Sequence, residues 1–185
     1  MSHRLIFLGA TLLLLFAGRA ALATTLQRMS LEELAAASPA IARVRILSSE
    51  SRVEGGRIWT LTSADVVETM KGSVPRRITL RLLGGRTRGL ISKVEGVPQF
   101  APSEDVYLFL QPLPTGEFAV VSWVQGTFRV ERDREEERVS QDTAGVAVFD
   151  PATRRFEKGE VRRLPLAEFR ARVQRAVARA AGGSR

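Results

Sequence analysis

The sequence predicts a mainly β protein: a small, partly closed antiparallel barrel of about six to eight strands, with a short N-terminal helix and an amphipathic C-terminal helix. Three observations lead to this class. Apolar and polar residues alternate with period two in several short runs between residues 42 and 130. Glycine and proline turn signals separate those runs. Helical spacing of apolar residues appears only near the two ends of the chain. An immunoglobulin-like sandwich satisfies the same periodicity and stays open as the alternative.

The first element after the N-terminal apolar stretch is a helix. Ser30 and Glu33 have capping-box spacing, and Leu31 and Leu34 share one face. The helix must stop near Ser38, because the residue before Pro39 disfavours helical geometry. In Ala42-Arg43-Val44-Arg45-Ile46 the apolar residues all point one way. Gly55-Gly56 marks a hairpin into a β-rich run from Ile58 to Val67. The alternation of that run loses phase near Ser63 and Ala64, where a bulge or sharp bend is expected. Ile78, Leu80 and Leu82 oppose Arg77, Thr79 and Arg81 in the clearest strand of the chain. A glycine-containing segment follows Gly84-Gly85, with a short strand expected from Leu90 to Val94. Val106 to Leu110 is apolar on both faces and reads as a central strand or one covered by a helix. Strands over Phe118 to Val124, around Phe128 and Val130, and from Gly145 to Phe149 complete the body, with Arg132 to Arg138 as a solvated hairpin tip. Leu166, Phe169, Val173, Ala176, Val177 and Ala180 then form one helical stripe, giving an amphipathic helix over residues 165–181.

Composition bounds the chemistry. The N-terminus has the layout of a secretory signal: Arg4, an apolar run from Leu5 to Ala17, and an Ala21-Leu22-Ala23 cleavage motif. The expected division is residues 1–23 as signal peptide, 24–150 as the β domain and 151–185 as a basic C-terminal segment. The expected location is the periplasm or the medium. The only histidine, His3, lies in the leader, and the chain has no cysteine. A thiol nucleophile, a Ser-His-Asp triad and a His or Cys zinc site are therefore excluded from the mature chain. Neither a cofactor nor a metal is expected. The net charge of +8 is unevenly spread: residues 24–150 sum to −1 and residues 151–185 to +7. The body is close to neutral and its basic residues are not interleaved with aromatics, which argues against nucleic acid as a partner.

A series of residues extends this reading. Ser30-Leu31-Glu32-Glu33-Leu34 runs into Ser38-Pro39-Ala40-Ile41-Ala42-Arg43-Val44, and Met70-Lys71-Gly72 closes the second strand. Gly84-Gly85, Gly96-Val97-Pro98-Gln99-Phe100, Glu104 with Leu108-Phe109-Leu110, and Gln125-Gly126-Thr127-Phe128-Arg129-Val130 follow. Over residues 30–130 the chain resembles a group of uncharacterised exported bacterial proteins, which share a Ser-Leu-Glu-Glu-Leu helix and later Pro-x-Phe and Gln-Gly-x-Phe motifs. Pro39 departs from the usual Asp, and Arg43 stands where glycine is common. The layout is also similar to the OB-like barrel of netrin-like and metalloprotease-inhibitor domains. Those inhibitors hold the target's zinc with an N-terminal cysteine, so their mechanism does not carry over to a chain without one.

The candidate ligand surface consists of Trp59, Arg86, Arg88, Tyr107 and Trp123. The segment Gly84 to Gly89 could cradle an anion through backbone N–H groups and its two arginines, or it could be a plain inter-strand loop. Trp59, Tyr107 and Trp123 could form an aromatic platform, or fill the core. Asp133 with Glu135, Glu136 and Glu137, and Glu104 with Asp105, read as solvated charge, because neighbouring carboxylates on a turn do not converge on one ion. Ser92 and Lys93 are adjacent in a strand and so face opposite ways. The basic terminal helix could dock on the barrel or lie on an anionic membrane. No catalytic residue is assigned. The function expected is an exported, non-enzymatic module that binds a protein or extended ligand. The alternatives are a peripheral envelope protein held by its basic helix, or a carboxylate-based hydrolase.

Overall fold

The computed structural model describes residues 25–133, 136–143, 146–157 and 161–182. The leader, its cleavage motif, Glu135 and the Gly145 start of one expected strand lie outside them. In chain order the first elements are β1 (Thr25–Gln27), α1 (Leu31–Ala37), β2 (Ala40–Glu54), β3 (Arg57–Lys71) and β4 (Arg77–Leu83). Next come β5 (Gly85–Thr87), β6 (Leu90–Ser92), β7 (Asp105–Pro112), β8 (Phe118–Val120) and a 3-10 turn (Trp123–Gly126). The chain finishes with β9 (Thr127–Asp133), β10 (Glu136–Gln141), β11 (Ala147–Asp150), β12 (Arg155–Glu157), β13 (Leu164–Pro165) and α2 (Leu166–Gly182). The fold is mainly β, as expected. The described residues hold 13 strands, more than the six to eight expected: β1, β5, β12 and β13 have two or three residues each, too few to show periodicity, and β10 pairs with β9 through Glu136 to Arg138, where the sequence predicts a solvated hairpin tip.

Eight strands form the principal sheet, in the order β13-β10-β9-β7-β2-β3-β4-β8. β8 also pairs antiparallel with β7, and it meets β4 in a parallel bridge at Leu80↔Phe118. β1 runs parallel to β11, which pairs with β12, while β5 and β6 form a separate hairpin. The β2–β3 hairpin turns on Gly55 and Gly56, both at positive φ (57° and 73°), the backbone that a two-residue turn of matching twist demands. The irregularity expected near Ser63 and Ala64 is present, but the extra residue belongs to the partner strand. Ile46 pairs with Ala64 and Ser48 with Ser63, which leaves Leu47 bulged out. At two further register shifts, Ile41/Ala42 and Arg43/Val44, the extra residues are Met70 and Val67 of β3, so both strands of the pair are bent.

The pleat divides the apolar residues into two cores. Ala42, Val44 and Ile46 of β2, Ile78, Leu80 and Leu82 of β4, and Val106, Leu108 and Leu110 of β7 pack together with Phe118 and Val120. On the other face, Ile41, Tyr107, Phe109, Phe128 and Val139 lie beneath the two helices. The doubly apolar run of β7 is thus a strand covered on both sides. The capping box at α1 is formed: the Ser30 hydroxyl accepts the Glu33 N–H at 3.2 Å, and the Glu33 carboxylate accepts the Ser30 N–H at 2.7 Å. α2 buries Phe169, Val173 and Ala176. Phe169 meets Tyr107 edge-on at 5.0 Å between ring centres and Phe128 at 5.1 Å. Burying such a side chain contributes about 2–3 kcal/mol. The apolar stripe of the terminal helix thus packs on the protein through Phe169, Val173 and Ala176.

Candidate functional site

The site lies where sheet pairing stops. β3 pairs with β4 to its end, through Leu61↔Arg81, Thr60↔Leu82 and Trp59↔Leu83. On the opposite side β8 offers one register partner, Phe118 to Leu80, so Arg81 to Leu83 have none there. The reason is local. After Val120 the chain swings away through Ser122 and Trp123, both in the left-handed region at φ 50° and 52°. Such conformations cost a non-glycine residue roughly 1–3 kcal/mol each and persist only where the surroundings hold them.

Gln125 is what holds them. It is buried, and its side-chain carbonyl accepts the Met29 N–H at 2.9 Å. Its amide donates to the Gln27 carbonyl at 2.8 Å and to the Ser122 hydroxyl at 2.9 Å. The Gln125 backbone carbonyl accepts from the Gln141 amide at 2.7 Å. Thr127 donates its hydroxyl to the Trp123 carbonyl at 3.1 Å, and the Val124 N–H donates to the Gly96 carbonyl at 3.1 Å. Gly126 admits no side chain, since a Cβ there would fall 2.1 Å from the Val121 carbonyl oxygen. The Gln-Gly-x-Phe motif thus joins a polar knot at Gln125, a close approach at Gly126 and a core anchor at Phe128.

Trp123 forms one wall of a cavity of about 400 Å³ that also takes in Trp59, Arg81, Leu82, Leu83, Val97, the Leu113-Pro114-Thr115 turn, Ala119 and Val120. The Arg81 guanidinium stacks over Trp59, 4.4 Å from the ring centre. It is ion-paired with Glu54 and, at 3.4 Å, with Glu117. The hydrogen bond from Arg81 holds the Glu54 carboxyl below the usual carboxylate range.

A second cavity, of about 450 Å³, shares Leu82, Leu83 and Val97 with the first. Its floor carries hydroxyls: Thr60 donates to the Gly84 carbonyl at 2.7 Å and lies 2.9 Å from the Ser51 hydroxyl. The Thr60 proton is committed to Gly84, so Ser51 donates to Thr60. Gly85 seals this pair, because a Cβ there would lie 2.3 Å from both oxygens. Arg86, Ile91, Ser92, Lys93, Pro98 and Phe100 complete the rim. Lys93 pairs with Glu95 at 2.6 Å. Among the described residues Arg86 has no carboxylate partner, and neither cavity has an Asp or Glu in its lining.

The residues expected on a ligand surface separate accordingly. Trp59 and Trp123 share the first cavity, and Arg86 lines the second. Arg88 sits at the exposed tip of the β5–β6 hairpin, at φ 46°, outside both linings. Tyr107 requires a correction. It is fully buried on the helix-covered face, its hydroxyl donating to Glu68 at 3.0 Å with the Arg43 guanidinium 5.8 Å from its ring centre. Alternation places it beside Phe109, and the helices occupy that face. The Gly84 to Gly89 segment is part of a hairpin. The acidic residues serve as ion-pair partners: Asp105 and Glu137 clamp Arg43 at 2.7 and 2.9 Å, Glu136 pairs with Arg138 at 2.8 Å, and Asp133 pairs with Arg163. No group of three or more side chains suited to holding a metal occurs among the described residues. Sequence reading missed Arg81, Val97, the 113–115 turn and Gln125. Gln125 and Val97 left a signal, each in its motif. No protein-family model and no curated protein matches this chain.

Proposed function

We propose that this chain is an exported, non-enzymatic binding module built on an OB-like barrel, and that it takes an extended ligand at the gap between β4 and β8. The barrel reading is supported by the pairings β2–β3, β3–β4, β4–β8, β8–β7 and β7–β2, which return to their starting strand. Numbered one to five along the chain, these strands follow the order 1-2-3-5-4, with the 3–5 contact parallel. The single observation behind the binding reading is Trp123, fixed in a costly backbone conformation as a wall of a cavity that also holds Trp59. Backbone strain kept in place by a buried polar knot is a device of ligand sites, where it pre-organises the wall before the ligand arrives. A glycan hydrolase needs two carboxylates facing one cleft, and neither lining supplies one. Membrane anchoring by α2 would require the stripe that Phe169, Val173 and Ala176 bury in the protein. Export rests on the Arg4, Leu5 to Ala17 and Ala21-Leu22-Ala23 pattern. No helix of the described residues is long and apolar enough to cross a membrane.

The test is capture from periplasmic extract and culture medium by the immobilised chain beginning at Thr24. The reading expects one stoichiometric partner, retained at least tenfold less by the Trp123→Ala variant at equal folded fraction. Capture of nothing, or capture indifferent to both tryptophans, overturns it.

A further inference from the structure

We infer that the ligand of the gap is an extended peptide segment with an apolar anchor beside an acidic residue, added as a strand along the Arg81–Leu83 edge of β4. The inference rests on the binding reading above and narrows it to a partner chemistry.

The backbone gives the first argument. Gly84 N–H donates to the Ile58 carbonyl at 2.8 Å, which makes Trp59↔Leu83 a pair that exchanges no hydrogen bonds of its own. The N–H and C=O of Leu83, and those of Arg81 two residues earlier, are therefore directed away from β3. They point toward β8, where the Leu80↔Phe118 parallel bridge takes the Arg81 N–H onto the Phe118 carbonyl and leaves the Arg81 C=O and both Leu83 groups beyond the end of register. A sheet edge of this kind is a template for another strand, and main-chain hydrogen bonds to it supply affinity without regard to sequence. The second argument is the lining. The cavity gathers residues from both faces of β4: Arg81 and Leu83, with their cross-strand neighbour Trp59, from one, and Leu82 from the other. An added strand, whose side chains alternate between faces, meets apolar wall on each. The third argument is charge. Arg81 is already paired with Glu54 and Glu117, and Lys93 with Glu95, whereas Arg86 has no ion-pair partner among the described residues and neither lining holds a carboxylate. An Asp or Glu on the incoming strand supplies the missing charge.

The experiment is selection of a displayed random heptapeptide library on the full chain, followed by anisotropy titration of the enriched peptides. The expected peptides alternate apolar residues and contain an Asp or Glu. Arg86→Gln weakens them several-fold and flattens their salt dependence. Ala119→Arg, which fills the cavity from β8, abolishes binding while circular dichroism stays that of the parent. Methylating the peptide's backbone nitrogens one at a time abolishes binding at alternate positions only. Absence of enrichment, enrichment that ignores Ala119→Arg, or equal sensitivity at every nitrogen overturns the inference. So does a glycan or an amphiphile captured at the two tryptophans, which leaves the binding reading standing. Dimerisation of the chain that Ala119→Arg abolishes would make a second copy the occupant, and overturns the inference likewise.

Discussion

Replacing Gln125 by leucine removes the knot while keeping nearly the same volume. Three side-chain hydrogen bonds are lost: from Met29 N–H, to the Gln27 carbonyl and to the Ser122 hydroxyl. A typical net bond contributes about 1 kcal/mol, and a buried backbone group left without a partner costs about 1–3 kcal/mol. With Gln125 itself 1% exposed, Met29 N–H and the Gln27 carbonyl lose a partner that water replaces poorly. The expected loss is about 2–4 kcal/mol. At a urea dependence near 2 kcal/mol per molar, the unfolding midpoint falls by about 1–2 M. The loss is also local, because the same bonds hold Ser122 and Trp123 in the left-handed region. In a Trp59→Phe background Trp123 is the sole tryptophan, so its emission reports on that wall alone. The expected outcome is a red shift and stronger acrylamide quenching in Gln125→Leu before global unfolding begins. A midpoint within 0.3 M of the parent (about 0.6 kcal/mol at that slope), with unchanged Trp123 emission, would refute the account of what holds this turn.

Three further outcomes follow from the cores and the caps. Tyr107 is the only tyrosine, so phenolate absorbance near 295 nm reads it alone. Burial first, and then the Glu68 charge, push its phenol well above the ordinary value of 10. In the unfolded chain it ionises near 10, so its contribution to stability is complete below that pH and declines as the pH rises toward the folded value. No phenolate signal should appear at pH 11 until the protein unfolds, and a titration centred near 10 in the folded protein would contradict the burial. Phe169→Ala is expected to cost about 3–5 kcal/mol in urea unfolding, because Phe169 touches both Tyr107 and Phe128; a cost below 1 kcal/mol would show that α2 is not part of the core. Ser30→Ala removes the α1 cap and should cost about 1 kcal/mol. The Ser30 backbone N–H and hydroxyl hold the Glu33 carboxyl below 4.5. That contribution is present above 4.5 and is lost as the pH falls through the lower folded value; alanine keeps the backbone N–H, the larger cause, so the acid limb of the stability profile should become only partly shallower in the variant.

The class of the fold was legible because strands half-buried on one face announce themselves by alternation. Ile78, Leu80 and Leu82 against Arg77, Thr79 and Arg81 is such a case, and the capping box of Ser30 and Glu33 likewise located α1. The bulge was legible as a loss of phase, but its owner was not. The extra residue, Leu47, lies on the partner strand, where a sequence containing Leu47-Ser48-Ser49 shows no defect of its own. Tyr107 was misplaced because β7 is apolar on both faces, and periodicity does not say which face the helices take. The gap between β4 and β8 could not be read at all. It arises from where pairing ends, set by positive φ at Ser122 and Trp123, two residue types that give no hint of it. Of the site, Trp59 and Trp123 are legible as strand aromatics that could form a platform or fill the core. Arg81 was read as the polar face of a strand, since its stacking on Trp59 depends on a cross-strand register.

Hydrogen exchange of the full chain with and without its captured partner tests the central claim most directly. The account predicts slowed exchange at Leu83 and across the Leu113 to Thr115 turn, with little change in α2. Protection concentrated on α2, and none along the outer edge of β4, would contradict it.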